Sequence, residues 1–311
     1  MKAAQINSYG SEDVLQLSAD APKPVAGAGE VLVEVYAAGV NPFDIKVREG
    51  KLQEVKQLQF PATLGGDLAG IVSEIGEGVM EFKVGDAVFG QANALGGQGS
   101  YAEFTTLKAE ALAPKPNSLD FINAAGAPLV GVSAYQALVD HAGLKKGQKI
   151  LIHGGAGGIG TFAIQLAKHL GAYVATTASA GDAEYVKNLG ADEVIDYKTQ
   201  AFEKLIKDYD VVYDTVGGET FVRSHEVLKQ GGILVTMAGK PDDELAKQYS
   251  IKVIGQVTKV INEKLAKLAE LLDKGVVKVN IDKVFPLDQA GEAQAYLKAG
   301  QHRGKVVLKI K

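Results

Sequence analysis

The segment Lys149-Ile-Leu-Ile-His-Gly-Gly-Ala-Gly-Gly-Ile-Gly160 joins an apolar run directly to a cluster of glycines. The spacing of Gly155, Gly157 and Gly160 follows a pattern that binds dinucleotide phosphates. There the first glycine permits a tight turn, the second lets backbone N–H groups approach a pyrophosphate, and the third lets the next helix pack closely. The N-terminus of that helix attracts the anion. The candidate cofactor-binding residues are Gly155, Ala156, Gly157, Gly158, Ile159 and Gly160.

The flanking segments decide whether these glycines indicate a nucleotide-binding turn, because glycine-rich turns occur wherever a strand bends sharply. Ile150 to Ile152 resemble a buried parallel strand, and apolar residues recur at helical spacing from Phe162 to Leu170 before Gly171. Short apolar runs then alternate with amphipathic helical patterns as far as residue 274. This alternation predicts an α/β fold with a doubly wound parallel sheet, a Rossmann domain.

The rest of the chain has a different pattern. Short apolar strands separated by Gly and Pro turns occupy the first 120 residues. The segment from Val279 onwards has the same pattern, with a strand at 305–310. We therefore expect residues 123–278 to form the Rossmann domain. It is predicted to be inserted in a β-rich domain made of residues 1–122 and 279–311.

Composition narrows the classes of partner. The net charge of −4 comes from 33 basic and 37 acidic residues that are mixed throughout, so neither nucleic acid nor a membrane surface is an expected partner. The chain has no cysteine, which excludes disulfides, thiolate nucleophiles and cysteine-ligated metals. The first residues lack a signal-peptide pattern, and no run of about 18 apolar residues follows. We expect a cytoplasmic protein that binds a small molecule.

The end of the second predicted strand bears on the choice of cofactor. An acidic residue there would bind the ribose 2′-hydroxyl of NAD, but this strand ends in Thr177, Ala178 and Ser179. Hydroxyl groups at Thr177 and Ser179 can donate hydrogen bonds to a 2′-phosphate, so NADP (NADPH) is the expected cofactor. Two features count against this interpretation. Serine is a common helix-capping residue, so Ser179 is also compatible with a cap, and the Asp182 carboxylate would weaken phosphate binding if it lay close.

Several further segments occur in an order typical of one family. They are Ala38 to Asp44, Pro61 to Gly70, Val84 to Phe89, Gly99 to Phe104, Val130 to Leu138, Asp214 to Gly218 and Gly304 to Leu308. With the glycine turn, these segments make nearly the whole chain similar to the medium-chain dehydrogenases/reductases. Within that family it most resembles the zinc-free quinone oxidoreductases and enone reductases. The resemblance implies that the β-rich domain is GroES-like.

The resemblance also predicts that no metal is bound. Zinc alcohol dehydrogenases of this family carry cysteine, histidine and glutamate where this chain has Asn41, Gly66 and Asp67. A catalytic zinc needs three protein ligands, which these residues do not supply. Without that Lewis acid, we expect a reduction rather than a metal-assisted alcohol oxidation.

Further site residues are implied by the resemblance. Asn41 is expected to face nicotinamide and substrate as the catalytic residue, a positioning or oxyanion donor, and Pro42 holds it in extended backbone. Ser133 is expected to contact the nicotinamide, and Tyr197 the 2′-phosphate. Ala238 and Gly239 line the nicotinamide pocket. Taken without the resemblance, Asn41-Pro42 is also compatible with a simple turn, and Ser133 with a helix cap.

These inferences predict an NADPH-dependent, zinc-independent reductase of quinones or α,β-unsaturated carbonyls. One alternative is reduction of an enoyl thioester or an alkene acid on the same scaffold. Another is a non-catalytic NADPH-binding protein. Relatives commonly dimerise through edge strands of their nucleotide domains, so we expect a homodimer formed through the strand at 252–257.

Overall fold

The computed structural model describes all 311 residues, Met1 to Lys311. The strands in chain order are β1 Ala3–Ile6, β2 Gln16–Ser18, β3 Glu30–Val40, β4 Ala62–Thr63, β5 Asp67–Ile75, β6 Ala87–Gln91, β7 Phe104–Lys108, β8 Leu112–Pro114, β9 Lys149–Ile152, β10 Tyr173–Ala178, β11 Glu193–Asp196, β12 Tyr209–Asp214, β13 Leu228–Thr236, β14 Lys252–Gly255, β15 Ile281–Pro286 and β16 Lys305–Lys309.

The α-helices are α1 Pro42–Arg48, α2 Phe121–Ala125, α3 Pro128–Tyr135, α4 Gly158–His169, α5 Ala183–Asn188, α6 Phe202–Leu205, α7 Glu219–Arg223, α8 Asp243–Gln248, α9 Asn262–Asp273 and α10 Ala290–Lys298. A π-helical segment, Gln136–His141, continues α3. No helix combines the length and the apolar character needed to cross a lipid bilayer.

The chain divides into two compact units. Unit 1 comprises Met1–Leu129, Val260–Gly275 and Val279–Lys311, and unit 2 comprises Val130–Lys259 and Val276–Lys278. The range expected for the Rossmann domain from the sequence, 123–278, differs from unit 2 at residues 123–129 and at α9. Within unit 1, Asn262 Nδ2 at the start of α9 donates to the carbonyl of Leu112 at 2.7 Å.

Unit 2 contains the predicted doubly wound sheet. Its six strands pair in parallel in the order β11-β10-β9-β12-β13-β14. Leu151, Ala175, Val212 and Leu234 from four of these strands are fully buried in one apolar cluster, as continuous apolar strands require. The chain winds outward from β9 in both directions. Ligands of such sheets bind beside the carboxyl ends of the strands at this reversal.

Unit 1 contains the β-rich fold. A seven-stranded sheet runs β15-β16-β3-β5-β6-β8, with β7 also paired to β3, and a smaller sheet runs β2-β1-β4. β16 pairs antiparallel with the end of β3, so that Val306 lies opposite Val40 and Leu308 opposite Ala38. The tail therefore rejoins the first part of the chain, as expected, and the Rossmann domain is an insertion.

The segment Asn41-Pro42 begins a helix rather than forming only a turn. Asn41 has φ −129° and ψ 152°, the extended conformation expected before proline, and Pro42 is the first residue of α1. Two residues further on, Asp44 Oδ2 accepts a hydrogen bond from the Asn41 backbone N–H at 2.9 Å. The helix therefore starts at a defined place, directly after β3.

Candidate nucleotide-binding and catalytic sites

The glycine turn in unit 2 leads from β9 into α4. Gly157 is the N-cap of α4, and Gly158, Ile159 and Gly160 form the first turn of the helix, with Ala156 just before the cap. The N–H groups of a first helical turn have no partners within the helix, so they are available to an anion. A Cβ at Gly157 would contact only the Gly154 carbonyl oxygen, at 3.4 Å. This open space fits a phosphate close to the backbone.

Two adjacent glycines form the turn between β9 and α4. The left-handed residue is Gly154, with φ +71°. Gly155 is needed because a Cβ there would lie 2.1 Å from Thr176 Oγ1 on β10. A Cβ at Gly160 would lie 2.2 Å from the Gly154 carbonyl oxygen, so α4 packs directly on the turn, as predicted.

The end of β10 presents fewer available hydroxyl groups than expected. Thr177 Oγ1 accepts a hydrogen bond from the Gly154 N–H at 3.2 Å and therefore braces the glycine turn. Ser179 Oγ donates to Asp182 Oδ2 at 2.6 Å. Ser179 thus bonds to a carboxylate rather than capping a helix N–H, and the carboxylate of Asp182 lies beside a residue predicted to bind the 2′-phosphate.

A cavity of about 350 Å³ lies among the carboxyl ends of β9 to β12. Gly154, Thr177, Tyr197, Val216 and Arg223 contribute to its lining. Tyr197 is 60% exposed, so its ring is accessible to a ligand. This cavity contains two of the residues predicted to bind the cofactor, and its volume is in the range of small-molecule sites.

Arg223 is a lining residue that we did not predict. Its guanidinium carbon lies 5.1 Å from the centre of the Phe202 ring, and its Nη1 lies 3.2 Å from a carboxylate oxygen of Glu203. A guanidinium stacked on an aromatic ring offers a flat, positively charged surface to a planar base. A single arginine in a helix carries no spacing signal, so the sequence did not point to it.

His153 follows β9 and stabilises the same region. Its Nδ1 lies 3.1 Å from Thr177 Oγ1, and its Nε2 lies 3.0 Å from Ser224 Oγ. Burial lowers the pKa of His153 to about 4, so the ring is neutral at pH 7. With both nitrogens hydrogen-bonded inside the fold, this histidine joins three segments and has a structural role.

Asp214, at the end of β12, organises the next two loops. Its Oδ1 accepts hydrogen bonds from Val216 N–H and Gly217 N–H, and its Oδ2 accepts one from Thr236 Oγ1 at 2.9 Å. Thr236 Oγ1 in turn accepts a hydrogen bond from Gly239 N–H at 2.7 Å. A longer bond at 3.2 Å comes from the N–H of Ala238. The backbone at 238–239, predicted to line the nicotinamide pocket, is therefore held through one buried carboxylate.

Ser133 lies inside α3 and does not cap a helix. It is fully buried, and its Oγ lies 2.7 Å from Thr258 Oγ1. Its backbone carbonyl accepts a hydrogen bond from Gln256 Nε2 at 3.1 Å. Ser133 thus anchors the loop that follows β14, and its predicted contact with nicotinamide stays a prediction.

The predicted catalytic residue, Asn41, lies in unit 1 at the centre of a buried polar network. We use this term for Asn41, Asp44, Asp67, Tyr101 and Lys305, each at most 3% exposed. Asn41 Nδ2 donates to Asp67 Oδ2 at 2.9 Å, and Lys305 Nζ donates to Asn41 Oδ1. Tyr101 Oη donates to Asp44 Oδ2 at 3.0 Å. Burial raises the pKa of the Asp67 carboxyl and lowers that of the Lys305 amine, and each partly offsets the shift of the other.

The structure groups the predicted site residues by unit. Asn41 and Pro42 are at the start of α1 in unit 1. The glycine turn, Thr177, Ser179, Tyr197, Ser133, Ala238 and Gly239 are all in unit 2, most of them at the carboxyl edge of the sheet. The contributions of Asp214, Arg223 and Lys305 were missed. Asp214 and Lys305 stood in segments that carried the family resemblance, but nothing local indicated their partners.

Known protein families match both parts of the chain. Residues 27–117 match the alcohol dehydrogenase GroES-like domain, and residues 189–308 match a family described as zinc-binding dehydrogenase. A 2-methylene-furan-3-one reductase of Solanum lycopersicum is 39% identical over 99% of this chain and 79% of its own length. An NADPH-dependent alkenal/one oxidoreductase of Arabidopsis thaliana, chloroplastic, is 37% identical with the same coverage.

A solved structure is similarly close. The quinone oxidoreductase from Coxiella burnetii superposes with a TM-score of 0.92 at 35% identity, covering 100% of this chain and 99% of that one. The chain therefore belongs to the medium-chain dehydrogenase/reductase family, in its zinc-free quinone oxidoreductase group.

The residues present do not fit the zinc ion that one of the matching families is named for. Asn41 Oδ1, which would have to face a metal, already accepts a hydrogen bond from the Lys305 amine. Asp67 Oδ1 accepts hydrogen bonds from Gln91 Nε2 and from the Leu129 N–H. Nowhere in the chain do three or more His, Cys, Asp or Glu side chains meet in a way that would hold a metal. A zinc site needs such a set of donors.

Asp44 predicts a specific dependence of stability on pH. Burial raises its pKa from 3.8 to about 7, with the charge of Asp67 adding to the effect. The folded protein therefore favours protonated Asp44, and this contribution is largest below pH 4 and is lost as the pH rises through 7. Relative to Asp44→Asn, which stays neutral, the wild-type protein should lose about 4 kcal/mol of unfolding free energy between pH 4 and pH 8. Urea unfolding of both proteins across this range measures the difference. Exposed Asp288→Asn is the control, and a flat difference would contradict the prediction.

Asp214 predicts a loss of stability when its carboxylate is removed. Asp214→Ala leaves two backbone N–H groups and the Thr236 hydroxyl without their buried acceptor, so the unfolding free energy should fall by about 3 kcal/mol. Urea denaturation followed by circular dichroism gives the value. Asp288→Ala, which changes an exposed aspartate, should stay within about 0.5 kcal/mol of wild type. An equally small effect of Asp214→Ala would show that the loops do not depend on this carboxylate.

Proposed function

We propose that the chain is an NADPH-dependent, zinc-independent reductase of quinones or of the alkene bond of α,β-unsaturated carbonyls. The observation that carries the proposal is the Asn41 amide, which is held between Lys305 and Asp67 where the family's zinc enzymes place a metal ligand. The relatives reported above, named as furanone, alkenal/one and quinone reductases, support the same chemistry.

The chain's own residues suit this reaction. When bound, NADPH supplies a hydride, which an enone accepts at its β-carbon while its oxygen gains negative charge. Asn41 Nδ2 uses one N–H for Asp67, which leaves the second N–H for that oxygen. A donor that is 1% exposed is shielded from bulk water, so its stabilisation of the developing charge is strong. The α-carbon then takes a proton from solvent, and we assign no side chain to this step.

NADPH rather than NADH is the proposed reductant. No acidic residue stands in β10 or at the next position to receive a ribose 2′-hydroxyl, and Tyr197 lines the adjacent cavity. The glycine turn fits a pyrophosphate, since Gly157 leaves the helix start open. Asp182 beside Ser179 opposes the binding of a 2′-phosphate and limits the preference.

We also propose a homodimer and a cytoplasmic location. β14 is an edge strand of the six-stranded sheet, so its outer N–H and C=O groups can pair with the same strand of a second copy. Val257, just beyond β14, is 79% exposed, and such a pairing would cover it. The cytoplasm supplies the NADPH that the proposed activity consumes.

The activity itself is tested by following NADPH and NADH oxidation with a panel of quinones, enones, enals and alcohols. The wild-type protein should oxidise NADPH with quinones or enones and should not act on alcohols. Asn41→Ala should lower kcat by about a hundredfold, because an oxyanion donor is lost. Asn188→Ala, which changes an exposed asparagine on α5, should retain full activity. Tight NADPH binding without turnover across the panel would instead favour a non-catalytic binding protein.

The 2′-phosphate assignment is tested by reversing the charge at Asp182. Asp182→Lys should tighten NADPH binding by about tenfold, because a favourable charge replaces a repulsive one near the phosphate. NADH binding should change by less than about twofold. The neutral variant Asp182→Asn should bind NADPH with an affinity between those of the wild-type protein and Asp182→Lys. Dissociation constants for both cofactors come from the fluorescence of the bound nicotinamide. Equal effects on NADPH and NADH would place the 2′-phosphate elsewhere.

A further inference from the structure

Lys305 is a buried amine that the proposed chemistry does not otherwise use. It is the first residue of β16 and is 3% exposed. Its Nζ donates to the carbonyl oxygen of Val40 at 2.9 Å and to Asn41 Oδ1. Removing an ammonium group from water is costly, so a lysine in this position needs nearby negative charge. The Asp67 carboxylate is the larger source of this charge, and Asp44 is the smaller one.

The two neighbours of the Asn41 side chain determine which way its amide points. Lys305 offers hydrogen-bond donors at one end, and the Asp67 carboxylate offers only acceptors at the other. If the amide rotated by half a turn, its NH₂ group would face the Lys305 amine and its oxygen would face Asp67. Both contacts would be repulsive in a buried site. The arrangement therefore holds the amide with Oδ1 towards β16 and Nδ2 towards Asp67.

The same arrangement strengthens the amide as a donor. A positive group at Oδ1 draws electron density from nitrogen to oxygen and polarises the N–H bonds, as linked hydrogen bonds do in a medium of low dielectric constant. The N–H that does not bond to Asp67 gains from this effect. Removal of the lysine would therefore weaken the donor and loosen its orientation together.

We propose that Lys305 is a positioning residue that acts through Asn41, orienting and polarising the amide that binds the substrate oxygen. The inference rests on the proposed role of Asn41 in the reductase. Lys305 also bonds to the Val40 carbonyl, so a purely structural role has to be distinguished from positioning.

A double-mutant cycle makes this distinction. Lys305→Met should lower kcat by about tenfold in the wild-type background, with the KM for NADPH within about twofold of wild type. In the Asn41→Ala background the same substitution should change kcat by less than about twofold, because no amide is left to position. Exposed Lys309→Met, on the same strand, is the matched control. An equal loss in both backgrounds would overturn the positioning role.

A second measurement does not depend on activity. The side-chain NH₂ resonances of Asn41 are identified by their absence from the ¹⁵N spectrum of Asn41→Ala, and their hydrogen exchange is measured in the protein without cofactor. Exchange should be at least about tenfold faster in Lys305→Met than in wild type or Lys309→Met. If Lys305→Met does not fold, Asp67→Asn/Lys305→Met, which removes both charges, takes its place.

The outcomes separate the two claims. Absence of NADPH oxidation by the wild-type protein across the substrate panel would overturn the proposed function. Unchanged exchange of the Asn41 amide without the Lys305 amine would overturn the positioning role, whether or not the protein is active. Faster exchange together with the non-additive loss of kcat supports both.

Discussion

The pairing of the last strand, β16, with the end of β3 is the constraint on which unit 1 depends. It sets Val306 opposite Val40 and Leu308 opposite Ala38, and the residues from Val306 to Leu308 are fully buried. The same register brings the Lys305 amine to the carbonyl of Val40 and to the side chain of Asn41. Since α1 begins immediately after β3, this strand pairing also determines which groups surround the N-cap of the helix.

The polar network in this unit is costly to bury, which indicates that it serves more than stability. Burial raises the pKa values of Asp44 and Asp67 and lowers that of Lys305, so it favours the neutral form of each group. Replacing such groups with apolar side chains often stabilises a protein, so their presence is better explained by the arrangement they impose. Here they orient one amide. Unit 2 uses a similar device at Asp214, whose carboxylate accepts three hydrogen bonds and thereby shapes two loops at the edge of the sheet.

The sequence predicted the elements of unit 2 well, because the signals are local. Continuous apolar strands and amphipathic helices alternate along the chain, and the glycine turn lies where strand and helix meet. An error outside unit 2 was also local in origin. Helix α1 was missed because Asn-Pro is common in turns, although Pro42 and Asp44 together form a helix start.

The sequence by itself therefore determined the fold class, the position of the glycine turn and the family, all of which depend on residues close together in the chain or on ordered motifs. The tertiary structure alone decided how the site is held. Asn41 and Lys305 are separated by 264 positions, and only the β16–β3 pairing brings them together. Asp182 shows the same limit over a short distance. Its carboxylate was evident in the sequence, but the hydrogen bond from Ser179 depends on the 3₁₀-helical turn Ala180–Asp182 that follows β10. A side chain's chemistry can be predicted from its type, whereas its partners depend on how distant segments pack.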